Sequence, residues 1–99
     1  MEFEQSMLLT AVWEDRRSET IYRSLNHLLA MAHKYRDEGC LRQAMDLYWM
    51  LSEEHSETVQ AQEARESLLD LGETYEREAE RHTARAVYER LSDVHGHAF

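Results

Sequence analysis

The sequence has no proline, only three glycines and a single cysteine among its 99 residues. Without proline and with so few glycines, little in the chain ends a helix or forms a tight turn. Glu, Arg, Leu and Ala are plentiful, so the composition predicts an all-α protein with one domain, residues 1–99. Cys40 has no second cysteine to pair with, which excludes an internal disulfide.

Positive charge is also scarce, with 11 Lys and Arg against 20 Asp and Glu and a net charge of -9. This balance argues against nucleic acid and against an anionic membrane surface, since both attract a basic face. A basic protein partner fits better, although acidity also serves solubility. The first residues are acidic and their apolar run is short, so they do not resemble a signal peptide. We therefore expect a cytoplasmic protein.

Signals for chemistry are missing as well. The six histidines have no Cys-x-x-Cys, His-Glu-x-x-His or calcium-loop pattern around them, and no glycine-rich phosphate loop is present. No nucleophile stands in a recognisable constellation with a base. We expect no enzymatic activity, no metal site and no cofactor.

The sequence does contain an internal repeat. The stretch LLAMAHKYRDEGCLRQAMDLYWML, residues 28–51, recurs as LLDLGETYEREAERHTARAVYERL, residues 68–91. The matched positions are large apolar, small or aromatic residues at helical spacing: Leu28 and Leu68, Tyr35 and Tyr75, Ala44 and Ala84, Tyr48 and Tyr88, Leu51 and Leu91. Small residues let helices approach closely and tyrosines fill the space between them. The repeat therefore predicts two successive antiparallel helix pairs that pack against each other.

At these positions the chain resembles the tetratricopeptide repeat (TPR) family. The first copy supplies Leu28, Met31–Ala32, Tyr35, Gly39, Ala44, Tyr48 and Leu51, and the second supplies Leu68, Leu71–Gly72, Tyr75, Ala79, Ala84, Tyr88 and Leu91. The resemblance covers roughly residues 25 to 94, about two repeats. It departs from the family in a period longer by about six residues, in Leu51 and Leu91 at the small position, and in the absence of proline. It implies a short right-handed superhelix of stacked helical hairpins.

Five helices are predicted in this arrangement. Residues 1–17 form an N-terminal helix, with Phe3, Met7, Leu8, Ala11 and Val12 on one face, and the charged run 14–17 ends it. Residues 18–55 form a first hairpin that turns at Gly39, residues 56–95 form a second, and residues 96–99 are a tail. Because Ala79 replaces the turn glycine, residues 76–83 form either a turn or part of one continuous helix that pairs with a second subunit.

In the TPR family, the first helix of each repeat lines a groove that takes a peptide or a helix. Carried over to this sequence, the groove residues are Asn26, Leu29, His33, Arg36 and Asp37 in the first copy and Glu66, Leu69, Asp70, Glu73 and Arg77 in the second. The resemblance therefore implies a protein-binding adaptor, scaffold or chaperone. A ligand with apolar anchors and some Lys or Arg would complement this surface.

The alternative is a structural or regulatory subunit whose repeats serve assembly only. Stacked repeats usually need about three units, so two units leave apolar surface uncovered. We therefore expect a homo-oligomer, a dimer in the simplest case. The candidate subunit-interface residues are Trp49, Met50, Val87, Leu91 and Val94.

Overall fold

The chain forms four α-helices in a computed structural model that describes the backbone of residues 2–96 and the side chains of residues 15–93. The helices are α1 (Glu2–Asp37), α2 (Leu41–Glu54), α3 (Val59–Arg77) and α4 (Arg81–Gly96). The all-α prediction is confirmed for this part of the chain. No helix within it is long and apolar enough to cross a membrane.

The structure has four helices where five were predicted, because α1 continues through the expected break at residues 14–17. Glu and Arg in that run are good helix formers, and charge alone does not end a helix. The side chains that follow also support the helix: Thr20 donates to the Arg16 carbonyl at 2.9 Å, and Arg23 pairs with Glu19 at 2.6 Å. The predicted apolar face of residues 3–12 involves side chains outside those described.

The two helix pairs reverse direction through the same hydrogen-bonded turn. In the first, the N–H of Gly39 donates to the Arg36 carbonyl at 3.0 Å and that of Cys40 donates to the Tyr35 carbonyl at 2.8 Å. In the second, the N–H of Ala79 donates to the Glu76 carbonyl at 3.1 Å, and that of Glu80 donates to the Tyr75 carbonyl at 2.8 Å. These bonds form the Schellman pattern that closes a helix end. The chain therefore turns at residues 78–80, within the range 76–83, and the continuous helix is excluded.

Both turns need one residue in the left-handed region of the backbone. Gly39 has φ 82° and Ala79 has φ 65°. Glycine adopts this conformation freely, whereas alanine is strained there by about 1–2 kcal/mol. Ala79 is also the only non-glycine residue with positive φ in the part of the chain that the structure describes.

The link between the two hairpins is a short loop that ends at Thr58. The Thr58 hydroxyl accepts a hydrogen bond from the Ala61 N–H at 3.1 Å, which caps the start of α3. The second hairpin was predicted to begin at residue 56, and the helix itself begins at Val59.

Successive helices pack side by side: α1 on α2, α2 on α3, and α3 on α4, with a smaller contact between α1 and α3. We call the paired part of α1 with α2 hairpin 1, and α3 with α4 hairpin 2. A single hydrophobic cluster runs through both hairpins and consists of Leu25, Leu29, Ala32, Ala44, Tyr48, Trp49, Leu51, Ala64, Leu68, Leu71, Val87 and Leu91. The repeated residues are therefore mainly the core.

Small residues at matched positions allow the paired helices to approach closely. Ala44 and Ala84 are both buried, and so are Ala32 and Gly72. A Cβ atom added at Gly72 would lie 2.8 Å from Cε1 of Tyr88, closer than real contacts allow. Gly72 thus makes room for the Tyr88 ring, as the repeat predicted.

The strain at Ala79 gives a direct test of the second turn. We expect Ala79→Gly to raise the free energy of unfolding by about 0.5–1 kcal/mol, because glycine removes the left-handed strain. Gly39→Ala should lower it by about 1 kcal/mol, since a Cβ there meets no atom and only the backbone is strained. Urea denaturation at one fixed protein concentration measures both.

The matched control is Ala86→Gly, the same substitution at an exposed position inside α4. It should destabilise by about 1 kcal/mol, because glycine is a poor helix former. If Ala79→Gly destabilised to the same extent, residue 79 would not occupy a left-handed turn.

Candidate protein-binding surface

The expected groove residues of the first copy are largely occupied by contacts within the chain. Leu29 is buried, with 6% of its surface exposed. Asn26 accepts a hydrogen bond from the Gln60 amide of α3 at 2.9 Å. Towards the end of α1, Arg36 is half-buried and Asp37 is exposed. In this part of α1, Leu29 is buried and Asn26 bonds to α3, while Asn26 and Asp37 keep exposed surface.

His33 also joins α1 to its neighbours. Its Nδ1 lies 2.6 Å from the Tyr48 hydroxyl of α2, and its Nε2 lies 3.4 Å from Oε1 of Glu63 on α3. In the neutral ring, a proton on Nε2 faces the carboxylate and Nδ1 accepts from the hydroxyl. Burial raises the pKa of the Tyr48 hydroxyl, which keeps the proton that this bond uses. The role of His33 is thus to connect three helices.

The expected groove residues of the second copy are all exposed. Glu66, Asp70, Glu73 and Arg77 lie along α3, and Leu69 lies among them with 45% of its surface exposed. We call Glu66, Leu69, Asp70 and Glu73 together the α3 face. It presents one large apolar side chain surrounded by three carboxylates.

A shallow groove borders the α3 face. It has a volume of about 230 Å³ and is lined by Gln62, Arg65, Glu66, Leu69 and Leu91. Leu91 comes from α4, so the groove follows the line where α3 and α4 meet. Leucines from both helices give it an apolar floor that an inserted side chain would contact.

The residues expected at a subunit interface lie mostly inside the chain. Trp49, Val87 and Leu91 belong to the hydrophobic cluster, whereas Met50 is exposed. The side chain of Val94 lies outside the described residues. Burial of Trp49 within one chain explains the apolar character of α2 without a second subunit.

Arg90 covers Trp49 and joins α4 to α2. Its guanidinium carbon lies 4.3 Å from the centre of the Trp49 ring. Two of its nitrogens donate to the Glu53 carboxylate, Nε at 2.8 Å and Nη2 at 2.5 Å. This combined cation–π and bidentate contact connects the second helices of the two hairpins. Because Arg90 and Glu53 are far apart in sequence and have no helical spacing, the sequence analysis did not find this contact.

The hydrogen bond from Arg90 holds the pKa of Glu53 below its usual range. The folded carboxyl therefore releases its proton more readily than the unfolded one. The pair stabilises the fold above the ordinary glutamate range, and this stabilisation is lost as the pH falls through the lowered pKa.

A second exposed apolar area lies at the start of α3. Ile21, Tyr22 and Val59 are 49%, 53% and 67% exposed, and they border a hollow of about 270 Å³. The hollow also contacts Leu25 and Thr58, so it marks where the first turn of α3 meets α1. It has few polar groups that would orient a small ligand.

No group of three or more His, Cys, Asp or Glu side chains in residues 15–93 is arranged to hold a metal ion. The thiol of Cys40 is half-buried at the start of α2 and has no disulfide partner.

Comparisons of the chain with models of protein families, with curated proteins and with solved structures give no match. Membership of the TPR family stays a prediction from the repeated residues.

We expect Arg90→Ala to lower the free energy of unfolding by about 1 kcal/mol, because it removes both the ring contact and the ion pair. The value is modest since solvent screens the partly exposed pair. The loss should shrink as the pH falls below the ordinary glutamate range and through the lowered pKa of Glu53, because the folded carboxyl then gains its proton too. Urea denaturation at several pH values measures it.

Two further variants serve as controls for this contact. Arg90→Lys keeps the charge but not the planar fork, so it should restore less than half of the loss. Arg85→Ala breaks an exposed pair with Glu89 and should change stability by less than about 0.5 kcal/mol. Equal losses for Arg85→Ala and Arg90→Ala would contradict the special role of Arg90.

Proposed function

We propose that this protein is a non-enzymatic protein–protein interaction module, an adaptor or scaffold, that binds a helix or peptide of a partner along the α3 face. The observation that carries the proposal is Leu69, which is 45% exposed beside an apolar groove and among three carboxylates. Large apolar side chains at such a site are the usual anchors of helix and peptide recognition.

The charges of the α3 face indicate the chemistry of the partner. Glu66, Asp70 and Glu73 favour Lys or Arg on the ligand, on either side of an apolar residue that contacts Leu69. Exposed charges mainly speed association and orient the ligand, whereas burial of Leu69 supplies affinity. The mechanism is presentation of a surface that the stacked hairpins hold in place, without bond making or breaking.

We propose further that the two hairpins form a TPR-like stack, as the short right-handed superhelix of the resembling family would. The matched turns at Gly39 and Ala79 and the buried alanines Ala44 and Ala84 support this. The lengthened period and the uninterrupted α1 distinguish this chain from the family pattern.

A second candidate function is self-association, as a structural or regulatory subunit. The exposed Ile21, Tyr22 and Val59 favour it, since exposed apolar areas commonly mark protein contacts. Both candidates use protein surfaces and no cofactor, and they differ in whether the partner is another protein or a second copy.

Charge reversal on the α3 face tests the adaptor proposal. We expect Asp70→Lys with Glu73→Lys to reduce capture of a basic partner from native extract at least about tenfold, because attraction becomes repulsion. Leu69→Asp should reduce capture as well, since it removes the apolar anchor. Immobilised protein and quantitative mass spectrometry of the retained proteins measure both effects.

The matched control is Asp46→Lys with Glu54→Lys, which makes the same change of charge at exposed positions of α2. It should capture the same proteins as the unaltered chain, and circular dichroism should show all variants equally helical. If both charge reversals released the same proteins, net charge and not the α3 face would govern binding.

A further inference from the structure

The residues of hairpin 1 that face α3 have equivalent residues in hairpin 2, because the two hairpins are copies of one repeat. In the contact between α3 and hairpin 1, Gln60 of α3 donates to Asn26 of α1, and Leu29 of α1 lies in the hydrophobic cluster that both hairpins share. Advancing these two positions of α1 by the offset from Tyr35 to Tyr75 gives Leu69 and Glu66, which belong to the α3 face. Hairpin 2 therefore presents, on its outer side, the counterpart of the surface on which hairpin 1 receives α3.

The exposure of the matched residues shows that this counterpart is open. Leu29 is 6% exposed within the cluster that both hairpins share, and Leu69 is 45% exposed. The groove beside Leu69 also contains Leu91, the counterpart of the fully buried Leu51. In the described part of the chain, no helix lies where α3 lies on hairpin 1.

The complementary surface is exposed on α1. Gln60, Ala64 and Ser67 of α3 are all buried, and Gln60 bonds to Asn26 of hairpin 1. Their counterparts on α1 are Thr20, Ser24 and His27, all exposed. We call Thr20, Arg23, Ser24 and His27 the free α1 face. Ser24 is nearly as small as Ala64, so a helix with this face could approach hairpin 2 as closely as α3 approaches hairpin 1.

The charges on these two exposed faces are complementary. Within the chain, His33 of α1 lies 3.4 Å from Glu63 of α3. The counterparts of this pair are Glu73 on the α3 face and Arg23 on the free α1 face, so the donor and the carboxylate recur on exchanged helices. Among the described residues, Arg23 bonds to Glu19 through one nitrogen, and its guanidinium retains other donors for a carboxylate.

From these matched surfaces we propose that the chain associates head to tail, with the free α1 face of one copy docked on the α3 face of the next. In this contact, α1 of one copy packs on hairpin 2 of the next copy in the way that α3 packs on hairpin 1 within one copy. Such an interface joins two different surfaces, so it builds open rows or closed rings. The proposal rests on the α3 face as a protein-binding surface and names a second copy as its ligand.

Sedimentation velocity over a range of concentrations tests the assembly. We expect the average mass to rise above that of the 11.8 kDa monomer between about 1 and about 300 µM and to pass the mass of a dimer, because a head-to-tail pair still has one free α1 face and one free α3 face. A monomer at every concentration would overturn the proposal, and so would a plateau at the dimer.

Variants that block one end distinguish this interface from a symmetric one. Leu69→Asp blocks the α3 face and Ser24→Glu blocks the free α1 face, and each adds one negative charge. Alone, each variant should associate at least about tenfold more weakly, since each introduces a charge that is buried in the contact. Mixed in equal amounts, they should form a 1:1 complex that does not grow, because one intact surface remains on each partner.

The matched control is Ala86→Asp, which adds the same charge at an exposed position whose counterpart is the exposed Asp46. It should assemble like the unaltered chain. Failure of the mixture to form a 1:1 complex would overturn the head-to-tail contact. A monomeric chain that still captured other proteins through Leu69 would overturn this contact alone, whereas assembly without any such capture would overturn only the adaptor role.

Discussion

The reversal of the chain within each hairpin is the constraint on which the rest of the fold depends. The first helix of each hairpin is followed by one residue at positive φ. The backbone N–H of the next residue then donates to a carbonyl in the last turn of that helix. Gly39 meets this requirement without strain, whereas Ala79 does not. The second reversal must therefore be favoured by packing of α4 on α3. Here the tertiary contacts outweigh a local backbone preference that opposes the turn.

Once both reversals are in place, α3 becomes the central helix. It contacts α1, α2 and α4, so the chain itself covers it on more than one side. The side that stays open carries the acidic residues and Leu69. The candidate binding surface is thus the part of a central helix that the other helices leave uncovered, and its position follows directly from the order of packing.

Much of the core could be predicted from the sequence because packing imposes a repeat. Tyr48, Ala44 and Ala84 are buried as their spacing indicated. The turn at Ala79 could be inferred only by comparison with Gly39, since its own neighbours favour a helix. Where the prediction placed a break at residues 14–17, the helix continues because no residue there opposes it.

The binding surface was harder to predict because matched residues do not have matched surroundings. Leu29 and Leu69 occupy equivalent positions, yet the first is buried in the cluster that both hairpins share and the second is exposed. The burial of Trp49 under Arg90 could not be predicted either, because the contact joins positions that the repeat does not relate. A repeat predicts what a residue contacts inside its own unit, and the neighbouring unit decides the rest.

The contact of Arg90 with Trp49 and Glu53 also bears on how the protein opens. Helices packed in chain order separate most readily from an end, and α4 has its main contact on α3 alone. Arg90 gives this outer helix a second attachment, to α2. For α4 to detach, the guanidinium must leave the indole ring and the carboxylate together, so local fraying at this end is coupled to the integrity of hairpin 1.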